Sequence, residues 1–109
     1  MTNLELIEFV EAHLIKQGAK SLMPGSTTEC AYRGENGNMC AAGCLIKDEF
    51  YSEELEGDNA NNRTVKFALI ASGVMHNQID LVQQLQVIHD SYPVCEWKYQ
   101  IQILKSMVN

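Results

Sequence analysis

The stretch from Pro93 to Val108 reads PVCEWKYQIQILKSMV and contains the clearest amphipathic pattern of the chain. Its apolar residues recur three or four positions apart, which is the spacing of one face of an α-helix. Proline suits the first helical position because its missing N–H would have no intrahelical partner there. The pattern predicts a helix over about 93–107 with one buried face. The residues of that face are Val94, Trp97, Ile101, Leu104 and Val108.

Capping residues and apolar periodicity predict three further helices. Thr2 to Glu5 reads as a capping box and Gly18 follows where a C-terminal cap belongs, so the first helix is expected over about 3–17. Asn62 caps a helix over about 63–74, and another follows over about 78–90. The last helix is expected to pack on the first. The three stripes are Leu4, Ile7, Val10, Leu14 and Ile15; Val65, Phe67, Leu69, Ile70 and Val74; and Leu81, Val82, Leu85 and Ile88.

The segment after the first helix has no helical period. It reads CAYRGENGNMCA from Cys30 to Ala41 and contains Asn36-Gly37, a pair that tolerates the positive φ of a tight reversal. A short β-hairpin is therefore expected over about 29–41. The predicted fold class is α+β and predominantly α, with about four helices and one short hairpin inserted after helix one, in a single domain spanning 1–109.

Acidic side chains are concentrated in one place. Fourteen Asp and Glu residues against eight Lys and Arg give a net charge of −6. Residues 48–58, DEFYSEELEGD, hold six of the carboxylates and no base; we call them the acidic segment. They lack the ligand order of a calcium loop. The chain has no basic stripe, so direct nucleic-acid binding is not expected, and the acidic segment is either a solvated face or a docking surface for a basic partner.

Features that direct a chain to membranes or export are not seen in the sequence. The N-terminal stretch carries acids where a signal peptide needs Lys or Arg, and no apolar run approaches membrane-spanning length. We therefore expect a cytoplasmic protein without membrane contact, whose cysteines are thiols.

The cysteines allow three interpretations: core packing, a zinc site or a nucleophile. No Cys-x-x-Cys knuckle is present, and a nucleophilic thiolate would need a histidine beside it. Apolar neighbours raise a thiol pKa rather than lower it. Core packing is the favoured reading, with no catalytic residue, no metal and no cofactor expected. The residues concerned are Cys30, Cys40, Cys44 and Cys95, with His13, His76 and His89 as candidate bases.

Two polar pairs are further candidates. Arg33 beside Tyr32 presents a donor fork to a carboxylate or phosphate, or forms an internal ion pair with Asp48, Glu56 or Asp90. His89 and Asp90 end a predicted helix, where a capping role is favoured. Neighbours one apart on a helix do not face each other, so the pair is not expected to form a ready-made dyad.

The combination of these motifs resembles a family of small proteins encoded by tailed bacteriophages and prophages. The shared pattern is Cys-x-Tyr-Arg, then Cys-Ala-x-Gly-Cys-Leu-Ile-x-Asp, a Tyr, Glu-Gly, and Leu-Gln-x-x-His-Asp. Lys47 departs from it, since a proline is expected there. The resemblance implies one polar cluster made of Tyr32, Arg33, Asp48, Tyr51, His89 and Asp90, and it brings no activity. The matching residues are Cys30, Tyr32, Arg33, Cys40, Ala41, Gly43, Cys44, Leu45, Ile46, Asp48, Tyr51, Glu56, Gly57, Leu85, Gln86, His89 and Asp90.

The function expected from these observations is non-catalytic binding. We expect a phage accessory protein that binds and modulates a host protein with a basic surface, in the host cytoplasm, with a homo-oligomer left open. The alternatives are a nucleotide-signal sponge with Arg33, Tyr32 and His89 around a pocket, a nucleic-acid mimic, and a zinc- or thiol-dependent enzyme. The candidate binding residues are Tyr32, Arg33, Asp48, Tyr51, Glu53, Glu54, Glu56, His89 and Asp90.

Overall fold

The structure is a computed structural model that describes residues 1–108. Its longest elements are four α-helices: α1 (Asn3–Gln17), α2 (Arg63–Ala71), α3 (Ile79–Ser91) and α4 (Val94–Met107). No helix in this part of the chain is both long and apolar enough to cross a membrane. The connections contain single-turn 3₁₀ helices at Glu35–Gly37, Gly43–Leu45, Asp48–Phe50, Glu53–Leu55 and His76–Gln78.

Helix α1 has the ends that its sequence predicts. The Thr2 hydroxyl accepts from the Glu5 amide at 3.1 Å, and the Glu5 carboxylate accepts from the Thr2 amide at 2.8 Å. Gly18 ends the helix in the left-handed region, with φ 66°. Its buried side chains are Leu6, Ile7, Val10 and Leu14. Two residues of the expected stripe, Leu4 and Ile15, lie outside the buried arc and are 44% and 47% exposed.

Helix α4 packs against both α1 and α3, and its Trp97 side chain is fully buried. The Trp97 indole N–H donates to the Tyr92 carbonyl at 3.1 Å, so burial leaves its polar atom satisfied. The indole also stacks on the His89 ring, with 5.3 Å between ring centroids. Ile101 and Leu104 continue the buried face, while Val94 at its start is 37% exposed.

Helix α2 is shorter than its apolar pattern suggests. It ends at Ala71, and Gly73 follows with φ 109°, a conformation that does not continue a helix. Val65 and Leu69 are fully buried, whereas Phe67 is 68% exposed and lies on the opposite face. The Asn62 side chain caps the helix by accepting from the amides of residues 64 and 65.

The β-hairpin predicted over about 29–41 is wrong, and the fold is all-α rather than α+β. Residues 1–108 contain no β-strand; two isolated antiparallel bridges, Leu22↔Cys30 and Arg33↔Met39, are the extent of the pairing in this region. Asn36 and Gly37 do adopt positive φ, 61° and 75°. The local reversal therefore forms as its sequence predicts, without the ladder on either side of it.

Two backbone hydrogen bonds join the arms, from the Gly34 amide to the Asn38 carbonyl at 2.9 Å and from the Cys40 amide to the Tyr32 carbonyl at 3.3 Å. The pairing does not extend further, because side chains from other segments take neighbouring backbone donors. The amides of Tyr32 and Arg33 donate to the Glu56 carboxylate, and the Met39 amide donates to the Gln17 side chain at 2.8 Å. Buried main-chain N–H groups need a partner, and it need not be another strand. The chain also passes so closely at Gly43 that a Cβ there would overlap the Tyr32 carbonyl.

Candidate binding site

Glu56 is the acceptor that organises the region around residues 32 and 33. Its Oε1 accepts from the Tyr32 amide at 2.8 Å, and its Oε2 accepts from the Arg33 amide at 3.2 Å and from the Tyr51 hydroxyl at 2.6 Å. Three donors from two chain segments therefore converge on one carboxylate. Burial of the phenol raises the pKa of Tyr51 to about 12, and the Glu56 carboxylate contributes to the increase. Ionisation of the phenol would break its hydrogen bond to Glu56 and place a second negative charge beside the first.

Arg33 makes an internal ion pair, one of the two roles that its sequence context allows. Its Nη1 lies 2.6 Å from Asp48 Oδ1, and its Nη2 donates to the Ile46 carbonyl at 2.7 Å. The guanidinium carbon lies 4.5 Å from the centroid of the Tyr51 ring, a cation–π contact. These contacts direct the guanidinium toward the acidic segment. Asp48 itself keeps a side chain that is 95% exposed.

The acidic segment is held to the core by its apolar residues, while most of its carboxylates face solvent. Leu55 is 1% exposed, and Phe50 and Tyr51 pack partly buried against the core. At its N-terminal end the Lys47 amide donates to the Ser72 hydroxyl at 2.9 Å. Apart from the half-buried Glu56, the acids are exposed: Asp48, Glu49, Glu53, Glu54 and Asp58.

His89 is buried with a defined tautomer. Its Nε2 lies 3.0 Å from the Ser21 amide nitrogen, which can only donate, so Nε2 accepts and the ring proton is on Nδ1. That Nδ1–H donates to Asp90 Oδ1 at 2.7 Å. The adjacent pair is thus joined, contrary to the expectation that neighbours on a helix do not face each other. Both ring nitrogens are engaged inside the fold.

Gln86 fixes the Asp90 carboxylate from one helical turn away. Its Nε2 donates to Asp90 Oδ1 at 2.8 Å, and its Oε1 accepts from the Ala42 amide at 2.9 Å. The side chain therefore links α3 to the segment that follows the turn. Asp90 is held in place by two hydrogen bonds that both end on the same oxygen.

A cavity of about 380 Å³ lies between the residues around Glu56 and the residues around Asp90. Its volume falls within the range of small-ligand sites. Tyr32 and Glu56 belong to one side, Asp90 and Gln86 to the other, and the Tyr32 hydroxyl donates to the Asp58 carbonyl. Arg33 and His89 are not among the lining residues. The full lining is Thr28, Cys30, Ala31, Tyr32, Glu56, Gly57, Asp58, Asn59, Gln86 and Asp90.

The cysteines differ in their surroundings. Cys40 is buried, Cys30 and Cys44 are half-buried, and Cys95 is exposed on α4, so the expected core role does not extend to Cys95. Burial raises the pKa of the Cys30 thiol to about 11, helped by the Asp90 charge, and that of Cys44 to about 12. Burial also raises the pKa of Cys40. At neutral pH these three thiols stay protonated and are poor nucleophiles.

One group of potential metal ligands lies within residues 1–108. Ligand atoms of Cys30, His89 and Asp90 lie within 4.8 Å of one another, a set that the cysteine spacing did not suggest. The hydrogen bonds do not fit a metal site, because Nε2 accepts from a backbone amide and Nδ1 must then keep its proton. A metal would have to displace that proton and leave an imidazolate. The geometry is that of an internal hydrogen-bonded group.

The residues expected to form one polar cluster lie in two networks. Tyr32, Arg33, Asp48 and Tyr51 belong with Glu56, whereas His89 and Asp90 belong with Gln86 and Ser21. The cavity connects the two through Tyr32 and Asp90. The sequence did not indicate the roles of Ser21 and Gln86. For Gln86 a signal was present, because residues four apart on a helix, such as Gln86 and Asp90, lie close enough to form a hydrogen bond. Glu53 and Glu54 take no part in either network.

Comparison with protein-family models, with curated proteins and with solved structures finds no match to this chain.

Replacing Glu56 by Gln tests its role as the common acceptor. The side-chain amide of glutamine places an NH₂ group where one carboxylate oxygen of Glu56 accepts hydrogen bonds. We therefore expect the free energy of unfolding to fall by about 1.5–3 kcal/mol, the usual contribution of a hydrogen bond to a charged group. Urea denaturation followed by circular dichroism measures it. Glu54→Gln, with the same charge change on an exposed side chain, should alter stability by less than about 0.5 kcal/mol. Equal losses in the two variants would contradict the assignment.

The raised thiol and phenol pKa values predict a loss of stability in alkali. In the folded chain the pKa of Cys30 is about 11 and that of Cys44 about 12, both above the ordinary thiol pKa of 9.0 that applies in the unfolded chain. Stability is then fully present below about pH 9 and falls as pH rises toward 11–12, because the unfolded chain releases protons first. Urea midpoints in reducing buffer at pH 8, 9.5 and 10.5 measure this loss.

The matched variants for this prediction are Cys44→Ser and Cys95→Ser. The first removes a half-buried thiol and should make the pH dependence shallower, whereas the second alters an exposed residue of α4 and should leave it as in the parent. If both variants change the slope of stability against pH equally, burial of the Cys44 thiol is not the cause of the loss of stability in alkali.

Proposed function

We propose that this chain is a non-catalytic binding protein whose acidic segment docks on a partner protein with a basic surface. The observation that carries the proposal is the exposure of Asp48, Glu49, Glu53, Glu54 and Asp58 on one anchored segment. Clustered charge of one sign steers encounter with a surface of the opposite sign and raises the association rate. The resemblance to phage proteins makes a host factor in the bacterial cytoplasm the partner that we propose.

Anchoring of the segment supports binding over a merely solvated loop. Leu55 is buried, Phe50 and Tyr51 pack on the core, and Glu56 joins the segment to residues 32 and 33. The exposed carboxylates are therefore presented from a backbone that is fixed at several points. A preorganised charged surface loses less conformational entropy on binding than a free loop does. The apolar side chains of the segment pack on the core, so the exposed docking surface consists mainly of charged side chains.

The nucleotide-sponge alternative has less support. The Arg33 guanidinium is engaged by Asp48, by the Ile46 carbonyl and by the Tyr51 ring, and it does not line the cavity. The cavity instead carries the carboxylates of Glu56, Asp58 and Asp90, which repel a phosphate. The buried His89 has both ring nitrogens occupied within the protein.

The thiol-enzyme alternative also has less support. A cysteine nucleophile needs a base with a free lone pair, and the His89 lone pair is used by the Ser21 amide. The Cys30 thiol, which lies within 4.8 Å of this histidine, has a raised pKa rather than a lowered one. Both conditions for an activated thiolate are missing at the group that brings Cys30 and His89 together.

Charge removal at the acidic segment tests the proposal. A triple variant, Glu49→Gln/Glu53→Gln/Glu54→Gln, should lose the partners that the wild-type chain recovers from a bacterial lysate at low salt. Recovery by the wild-type chain should fall as salt rises to about 0.5 M, where charges are screened over a few ångströms. Binding of a fluorescent hexa-arginine peptide gives a readout that does not depend on the partner's identity.

The matched control changes three exposed acids outside the segment: Glu8→Gln/Asp80→Asn/Glu96→Gln. Both variants remove three negative charges, so only the location of the change differs. If the two variants lose hexa-arginine and lysate partners equally, the attraction comes from net charge and the proposed docking surface is wrong.

A further inference from the structure

We propose that the cavity beside the acidic segment binds an alkylguanidinium group, the chemistry of an arginine side chain or of a free small guanidine. This inference rests on the proposed function, because an arginine of a basic partner would enter the cavity where it adjoins the acidic segment at residues 56–58. The cavity is about 380 Å³ in volume, and its lining residues include Tyr32, Glu56, Asp58 and Asp90. Each of these features bears on the charge and hydrogen-bonding capacity of the ligand.

The net charge of the cavity selects a cation. Glu56, Asp58 and Asp90 line it, and Lys20 lies beside it with Nζ 3.0 Å from the Asp90 carbonyl oxygen. Three carboxylates against one ammonium leave a negative site. An anionic ligand is repelled, and a neutral ligand would not offset the cost of desolvating the carboxylates.

The lining carboxylates differ in the acceptor capacity that they retain. Glu56 uses both oxygens within the protein, so it contributes charge. The Asp90 hydrogen bonds from Gln86 and His89 both end on Oδ1, and the Cys30 thiol, a weak donor, is the other protein partner of this carboxylate. Within residues 1–108 the Asp58 carboxylate accepts no hydrogen bond, while its backbone carbonyl accepts from the Tyr32 hydroxyl. Asp58, and Asp90 in competition only with a weak thiol donor, therefore retain capacity to accept from a ligand.

A guanidinium meets these conditions better than a compact cation. It has five N–H donors in a planar fork, is weakly hydrated compared with an ammonium, and pairs with two carboxylates at once. The Asp90 carboxylate is already oriented by His89 and Gln86, so little reorganisation is needed on binding. A bare metal ion is disfavoured by the hydrogen-bonded state of Glu56 and of the His89 ring.

Titration of the ¹⁵N-labelled chain with agmatine, an alkylguanidinium, tests the inference. We expect shifts of the amide resonances of Cys30, Tyr32 and Gln86, saturating with a Kd on the order of 1 mM. Tetramethylammonium chloride at equal ionic strength, a cation without N–H donors, should not cause these shifts. Shifts confined to the amides of Glu49, Glu53 and Glu54, or shifts that tetramethylammonium reproduces, would overturn the inference.

Matched variants separate the cavity from the wider acidic surface. Asp58→Asn should weaken agmatine binding by about tenfold or more, the loss of one charged hydrogen-bond acceptor, whereas Glu54→Gln should change it less than twofold. Equal weakening by the two variants would overturn the cavity assignment. Thermal melts of both variants check that the fold is retained, and Asp58→Glu should restore part of the affinity.

Hexa-arginine distinguishes the source of the guanidinium and separates this inference from the proposed function. If the peptide competes with agmatine for the cavity amides, an arginine side chain is a ligand; if it shifts only the acidic segment while agmatine fills the cavity, a free small guanidine is the ligand. Hexa-arginine that binds through Glu49, Glu53 and Glu54, with no agmatine binding at all, would overturn the cavity proposal and leave the docking surface standing.

Discussion

The carboxylate of Glu56 is the acceptor on which the arrangement of the irregular half of this molecule depends. Glu56 accepts hydrogen bonds from the backbone amides of Tyr32 and Arg33 and from the Tyr51 hydroxyl. One side chain thus satisfies two successive main-chain donors beside the single bridge between Arg33 and Met39. Its position fixes the acidic segment against residues 32 and 33, and it places Arg33 over the Tyr51 ring.

The helical half supplies the other wall of the site through Gln86 and Asp90, and His89 orients Asp90. The ring stacks on the buried Trp97 of α4, accepts from the Ser21 amide and donates to Asp90. Core packing and the orientation of a cavity-lining carboxylate are therefore coupled in one residue. Because Asp90 is also held by Gln86, the cavity has a rigid helical side that faces the residues organised by Glu56.

The sequence predicts the helices well because their signals are local. The capping box at Thr2, the glycine at position 18 and the apolar period of the last helix each act within one or two turns, and the observed bounds of α1, α3 and α4 lie within a residue or so of the expected ones. Helix α2 ends earlier because Gly73 adopts a positive φ that apolar periodicity does not reveal.

The hairpin and the site could not be derived in the same way. Asn36-Gly37 predicts a reversal, and the reversal forms, but a ladder requires that the flanking amides have no better partner. That partner is Glu56, which in sequence is one acid among six and has no local mark of its role. The internal ion pair of Arg33 with Asp48 was among the expected alternatives because charge complementarity is readable from sequence. The tautomer of His89 could not be predicted from the sequence, because it depends on the backbone amide of Ser21, 68 residues away.

Amide hydrogen exchange at residues 32 and 33 tests this account most directly, because it reports whether those two donors are held without a strand beside them. The account predicts that both amides exchange at least about 100-fold more slowly than in an unstructured peptide, and that replacing Glu56 by Gln removes the protection at these two positions while amides within α1 and α4 keep theirs. Exchange at the rate of a free peptide in the wild-type chain, or protection that survives the loss of the carboxylate, would contradict it.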